Sequence, residues 1–235
     1  EPEPTAEPEP TPTPEPTPTP EPPRVVVLDP GHQSRADSST EPVGPGAGER
    51  KARVSSGTEG VVTGIPEYEL NLAVALLLRD ELEARGYTVV MTRTENEVSL
   101  SNAERAELSN AAGAEAFVRI HANGSDDPAQ RGVMTVCITP DNPFVPETFT
   151  ASRALAEVLL EKLGEAMDCP PERRVLWETD GMSGLNYSRA PAVIVEMGYM
   201  SNPEEDRLLA DPAQRQRLAA ALADGLDEWF EQREE

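Results

Sequence analysis

The sequence predicts a single α/β domain in three layers: a twisted, mostly parallel or mixed sheet flanked by helices, preceded by a disordered Pro/Glu/Thr-rich tail. Three observations lead there. Residues 1 to 23 contain only Glu, Pro, Thr and one Ala, and the composition changes at Arg24. Beyond that point, short β-branched and aliphatic runs alternate with longer stretches of helical period, the order expected of layered α/β architecture. Three of the helical stretches open on capping signatures.

The tail lacks large apolar side chains, so it cannot bury enough surface to offset the entropy of ordering it. Its alternating prolines favour polyproline II, roughly 70 Å long when extended at about 3.1 Å per residue. We read it as a spacer. Val25 to Leu28 is a strand closed by the turn signal Asp29-Pro30-Gly31. From Gln33 to Pro66 the chain is rich in Gly, Ser and Pro without clear periodicity, a loop of a length that is usually either functional or disordered. Pro66 suits the first position of a helix running to about Arg85 and stopped by Gly86.

Thr88 to Arg93 reads as a strand. Ser101-Asn102-Ala103-Glu104 has capping-box spacing and opens a helix to about Ala112. Ala116 to Ile120 and Val133 to Ile138 are strands, Ser152 to Met167 is an amphipathic helix, and Ala192 to Val195 is a further strand. Two closing helices begin at Asn202-Pro203-Glu204-Glu205 and Asp211-Pro212-Ala213-Gln214, each with an N-cap, a proline and then Glu or Gln.

The formal net charge is −23, from 43 acidic and 20 basic residues. Such a surface repels phosphate backbones and anionic membrane faces, which argues against nucleic acid and lipid as partners. No run approaches the roughly 18 consecutive apolar residues of a membrane span. The chain opens on Glu1, which we read as a processed or trimmed form, any encoded signal having been removed. Cys137 and Cys169 are too few for a thiolate zinc site; one disulfide and two buried thiols remain alternatives.

The only two histidines carry the chemical argument. His32 follows the first strand across a tight turn, His121 directly ends the strand from Ala116, and Glu196 directly ends the strand from Ala192. Binding sites in α/β sheets collect beyond the carboxyl ends of strands, so these three residues converge on one edge. Imidazoles suit zinc, and catalytic zinc sites often add one carboxylate and leave one position to water. Helical spacing from Pro66 places Glu67 on the face of Leu70, Val74, Leu77 and Leu78, with Glu69 nearly opposite. On pattern alone, Glu67 serves equally well as a partner of the helix dipole.

Four segments then resemble the signatures of the zinc N-acetylmuramoyl-L-alanine amidases: Val27-Leu28-Asp29-Pro30-Gly31-His32, Glu67-Tyr68-Glu69-Leu70-Asn71-Leu72, Ile120-His121-Ala122-Asn123, and Val195-Glu196-Met197-Gly198-Tyr199-Met200-Ser201-Asn202. The resemblance runs from about Arg24 to Leu226 in the family's order. It implies one zinc ion held by His32, Glu67 and His121, with Glu196 acting in catalysis. It further implies hydrolysis of the amide between the lactyl group of N-acetylmuramic acid and L-alanine in bacterial peptidoglycan. The corresponding division is a linker over 1–23 and a catalytic domain over 24–235, working as an exported, monomeric enzyme at the cell wall.

Arg119 and Gln33 depart from the usual pattern beside the ligands. Asn71, Asn123 and Asn186 are candidates for substrate contact. The competing expectations are a zinc peptidase cutting within the stem peptide and a wall-binding module without catalysis.

Overall fold

The structure, a computed structural model, describes residues 23–234; apart from Pro23, the predicted spacer lies outside them. In chain order its elements are β1 (Val25–Pro30), β2 (Asp37–Pro42), β3 (Arg50–Val54), α1 (Glu67–Ala84), β4 (Thr88–Met91), α2 (Asn102–Ala111), β5 (Ala116–Asn123), β6 (Val133–Cys137), α3 (Phe149–Ala166), β7 (Arg174–Glu178), α4 (Ser183–Asn186), β8 (Ala192–Tyr199), α5 (Pro203–Ala210) and α6 (Pro212–Gln232).

Six strands form one mixed sheet in the order β4-β1-β5-β8-β6-β7. The first four are mutually parallel, β6 runs antiparallel to β8, and β7 returns parallel to β6. Central parallel strands are covered on both faces, which explains their unbroken apolar runs. Side-chain alternation divides those runs between two cores. Val26, Leu28, Val118, Ile120, Val193 and Val195 pack with Leu70, Leu78, Leu159 and Leu222 from α1, α3 and α6. Val27, Phe117, Val136 and Ile194 face the other way, toward Ala106 of α2 and Leu185 of α4. The three predicted layers are therefore present.

The predicted caps form as their chemistry requires. Ser101 and Glu104 close a reciprocal capping box. Asn202 accepts from the backbone N–H groups of Glu204 and Glu205, and Asp211 from that of Ala213. The helix from Pro66 needs one change: Pro66 is its N-cap and Glu67 its first residue. Gly86 ends it with φ +92°, a left-handed conformation that glycine adopts without a Cβ clash.

Several elements escaped the sequence reading. The long loop carries the β2–β3 hairpin, whose strands Asp-Ser-Ser-Thr-Glu-Pro and Arg-Lys-Ala-Arg-Val are mostly exposed and lack an apolar alternation. β7 occupies a sheet edge with alternating partial exposure, and α4 is a single turn. α3 starts at Phe149 rather than Ser152. β5 and β8 continue past their predicted ends to Asn123 and Tyr199, so His121 and Glu196 stand within strands. No helix among the described residues is long and apolar enough to cross a membrane.

Candidate metal centre and active site

Three chain segments deliver three donor atoms to one point. His32 stands just beyond β1, Glu67 opens α1 and His121 lies near the end of β5. His32 Nε2 is 3.2 Å from Glu67 Oε1, His121 Nδ1 is 3.1 Å from the same oxygen, and the two nitrogens are 3.1 Å apart. Tetrahedral zinc with bonds of about 2.0–2.1 Å would separate its ligands by about 3.3 Å. The triangle thus has the size of one face of that tetrahedron, and its two imidazoles and one carboxylate are a donor set zinc accepts. The residues fit the metal.

The position of each donor has a local cause. Glu67 is buried on the α1 face that also buries Leu70, Asn71, Val74 and Leu78, whereas Glu69 is exposed, so helical phase selects between them. Glu67 Oε1 also accepts from the Ala122 backbone and Asn71 Nδ2, and Oε2 accepts from the Thr58 backbone. Burial pushes the Glu67 carboxyl up, but the bonds from His121 and His32 outweigh it and hold the group well below the ordinary carboxylate range. Burial brings His121 down to about 4, against the upward pull of Glu67, leaving a neutral ring suited to ligation.

His32 has φ +59°, in the left-handed region, at a cost of about 1–2 kcal/mol for a side-chain-bearing residue. Two buried arginines hold its turn. Arg93, beyond β4, donates to the carbonyls of Pro30, Gly31 and Tyr68. Arg105, on α2, donates to the carbonyls of Pro30 and His32 and to Gln33 Oε1. The far side of His32, Nδ1, meets the Ser55 carbonyl at 3.0 Å, which orients the ring so that Nε2 faces the metal point. Gly31 is required by proximity: a Cβ there would come within 2.2 Å of His121 Nε2.

Asp29, fully buried, anchors this frame. Its carboxylate receives Arg105 Nη1 at 2.7 Å, Arg119 Nε at 2.8 Å and the Thr92 hydroxyl. Burial alone would raise its pKa, but the charges of Arg105 and Arg119 dominate and place it far below the usual carboxylate range.

Glu196 is the direct register partner of His121 across β5 and β8, so the two side chains emerge side by side. Its Oε2 is buried without a hydrogen-bond partner among the described residues. Burial first, and then the negative charge of Glu67, raise its pKa well above the ordinary value, with Arg119 opposing. A carboxylate with a raised pKa and one oxygen unpartnered among the described residues thus stands beside the donor triangle.

A family model described as N-acetylmuramoyl-L-alanine amidase matches residues 26–228. The chain belongs to this family. The amidase is 31% identical over 208 residues to an N-acetylmuramoyl-L-alanine amidase of Mycobacterium tuberculosis, a match covering 86% of this chain and 84% of the relative. It is 29% identical to the probable cell wall amidase LytH of Staphylococcus aureus, over 88% of this chain but 58% of the relative. Among solved structures it is similar to the N-acetylmuramyl-L-alanine amidase of Mycobacterium smegmatis, with TM-score 0.79, 29% identity and coverage of 89% and 97%. It is also similar to the catalytic domain of an N-acetylmuramoyl-L-alanine amidase from Paenibacillus polymyxa, with TM-score 0.71, 27% identity and coverage of 88% and 98%. The amidase is thus a hydrolase of peptidoglycan amides.

The three asparagines separate. Asn123 lines the clefts around the triangle. Asn71 and Asn186 have no exposed surface, so the expectation that they touch substrate is corrected. Asn71 donates to Gly31 O and Glu67 Oε1, while Asn186 donates to Val43 O and Asp180 O and accepts from Asn142. Sequence reading missed the roles of Asp29, Arg93 and Arg105. The available signal was a charged residue, Arg105, sharing a helix face with Ala106 and Ser109 in the interior. Gln33, a departure from the family pattern, is also structural: its Oε1 accepts from Arg105 and from the Leu100 backbone. Both cysteines are free and buried.

Proposed function

We propose that the amidase hydrolyses the amide between the lactyl carbonyl of N-acetylmuramic acid and the amine of L-alanine, with one zinc ion held by His32, Glu67 and His121. When bound, zinc supplies Lewis acidity that polarises the carbonyl and makes water a stronger acid. The observation that carries the reading is the donor triangle beside Glu196, whose Oε2 has no hydrogen-bond partner among the described residues, in a chain matching the amidase model over residues 26–228. Glu196 takes a proton from the attacking water and returns it to the leaving nitrogen. One C–N bond breaks, one C–O bond forms, and the products are a free lactyl carboxylate and a free L-alanine amine. His121 stays neutral, and Glu67 carries the negative charge that offsets the cation.

Residues 1–23 serve in this reading as a spacer ahead of a catalytic domain of residues 24–235, which acts outside the cell on the wall. Support comes from the tail's composition and from relatives named for cell walls. The test is digestion of purified peptidoglycan, with mass spectrometry of the released peptides. Peptides beginning with a free L-alanine amine, released only without chelator and restored by zinc, are expected. Release of peptides lacking L-alanine would assign a peptidase instead, and wall binding without release a non-catalytic module.

A second expected outcome concerns the metal alone. His121→Ala removes one of three donors and is expected to lower zinc content after gel filtration from one ion per chain toward zero. Undiminished zinc in that variant would place the metal elsewhere.

A further inference from the structure

Two clefts of different chemistry meet at His32, His121 and Glu196, which line both. The larger, about 660 Å³, is bordered by Ser55, Thr58, Ser125, Asp126 and Ser201 and by no lysine or arginine among the described residues. The smaller, about 400 Å³, holds Lys51, Arg119 and Trp177 beside apolar Met134 and Ile194, and its only carboxylate among the described residues is Glu196. Such a contrast is pronounced on a chain of net charge −23.

The cationic groups of the smaller cleft have unused capacity. The Arg119 side chain is 4% exposed, with Nε committed to Asp29 and Nη2 to Asn102 Oδ1. Nη1 makes no hydrogen bond among the described residues, and Arg119 lines the cleft. Gly184 leaves the room for it, since a Cβ there would lie 1.9 Å from Nη1. Asp29 is shared by the buried Arg105 and Arg119, so the cluster keeps a positive excess. Lys51, exposed on β3, has no ion-pair partner among the described residues, and its Nζ lies against Gly181 at the cleft wall. Trp177, 45% exposed on the edge strand β7, adds an aromatic surface.

We propose that the smaller cleft holds the stem-peptide side of the substrate and that Lys51 and Arg119 receive a carboxylate of the residue following L-alanine. The hydroxyl-lined cleft is thereby left to the sugar. The proposal rests on the amidase reading and deepens it, by making the ionisation of the second stem residue a determinant of specificity. Charge-assisted hydrogen bonds of this kind contribute about 1.5–3 kcal/mol, a factor of about 10–150.

The test uses two synthetic muramoyl dipeptides that differ only in whether the carboxyl of the residue after L-alanine is free or amidated. The zinc-loaded enzyme is expected to favour the free acid in kcat/KM by about ten-fold or more, chiefly through KM. Lys51→Glu is expected to collapse or invert that ratio. Equal rates on the two substrates, or a Lys51→Glu effect of the same size on both, overturns the proposal while leaving the amidase reading intact.

Hydrolysis of neither substrate counts against the amidase reading, and the cleft is then tested by binding. Trp177 is exposed whereas Trp229, the other tryptophan, is buried, so fluorescence reports on the cleft. Titration with the L-alanine dipeptide products is expected to perturb the emission at lower concentration for the free acid. Identical curves for acid and amide, or for the native protein and Lys51→Glu, overturn the proposal.

Discussion

Glu196→Gln is expected to lower kcat by about 10²–10⁴-fold while leaving zinc content and fold intact, the usual scale for loss of a general base. The substitution keeps the side chain's shape and removes only its ability to accept a proton. The clearest companion measurement is the stability of the metal-free protein. Burial and the neighbouring charge of Glu67 raise the folded-state pKa of Glu196. Its contribution is therefore fully present below the unfolded value of about 4.3 and lost as pH rises through the raised folded value. Glu196→Gln should abolish that decline and make the metal-free protein more stable near neutral pH. Retention of native kcat in this variant would remove Glu196 from the chemistry. A parallel loss of zinc would recast it as a metal-positioning residue.

Asp29→Asn is expected to cost about 3–5 kcal/mol of folding stability at pH 7, read from urea denaturation of the metal-free protein. Asp29 is the one carboxylate that Arg105 and Arg119 both meet, and all three side chains are buried or nearly so. Removing its charge strands two guanidiniums in the interior. The pH dependence has the opposite sign to that of Glu196. The depressed folded pKa makes the Asp29 contribution fully present above the unfolded value of about 3.9, and it is lost as pH falls through the folded one. The difference between native protein and variant should stay flat from pH 8 to about 5 and shrink only in strong acid. A difference below about 1 kcal/mol at neutral pH would mean that the arginines are solvated and that Asp29 does not anchor the His32 turn.

Legibility in the sequence followed the range of the forces involved. Capping boxes, proline starts and apolar runs act within a few residues, so Ser101, Asn202 and Asp211 announced their helices. The β2–β3 hairpin was silent because its strands pair with each other on the surface and need no apolar stripe. β7 was silent for a related reason, as an edge strand with half-exposed side chains.

The sequence by itself determined the three-layer class and the family motifs. Helical phase suggested Glu67 rather than Glu69, although Leu72 and Leu76 on the opposite side left it open, and the family resemblance selected Glu67. Only the tertiary structure decided the rest: that His32 stands in a left-handed turn clamped by Arg93 and Arg105, that Asn71 and Asn186 are buried, and that Lys51 and Trp177 share a cleft with Arg119. These juxtapositions join residues separated by tens of positions. They are fixed by strand order and by where buried charges find partners, neither of which leaves a periodic mark in the chain.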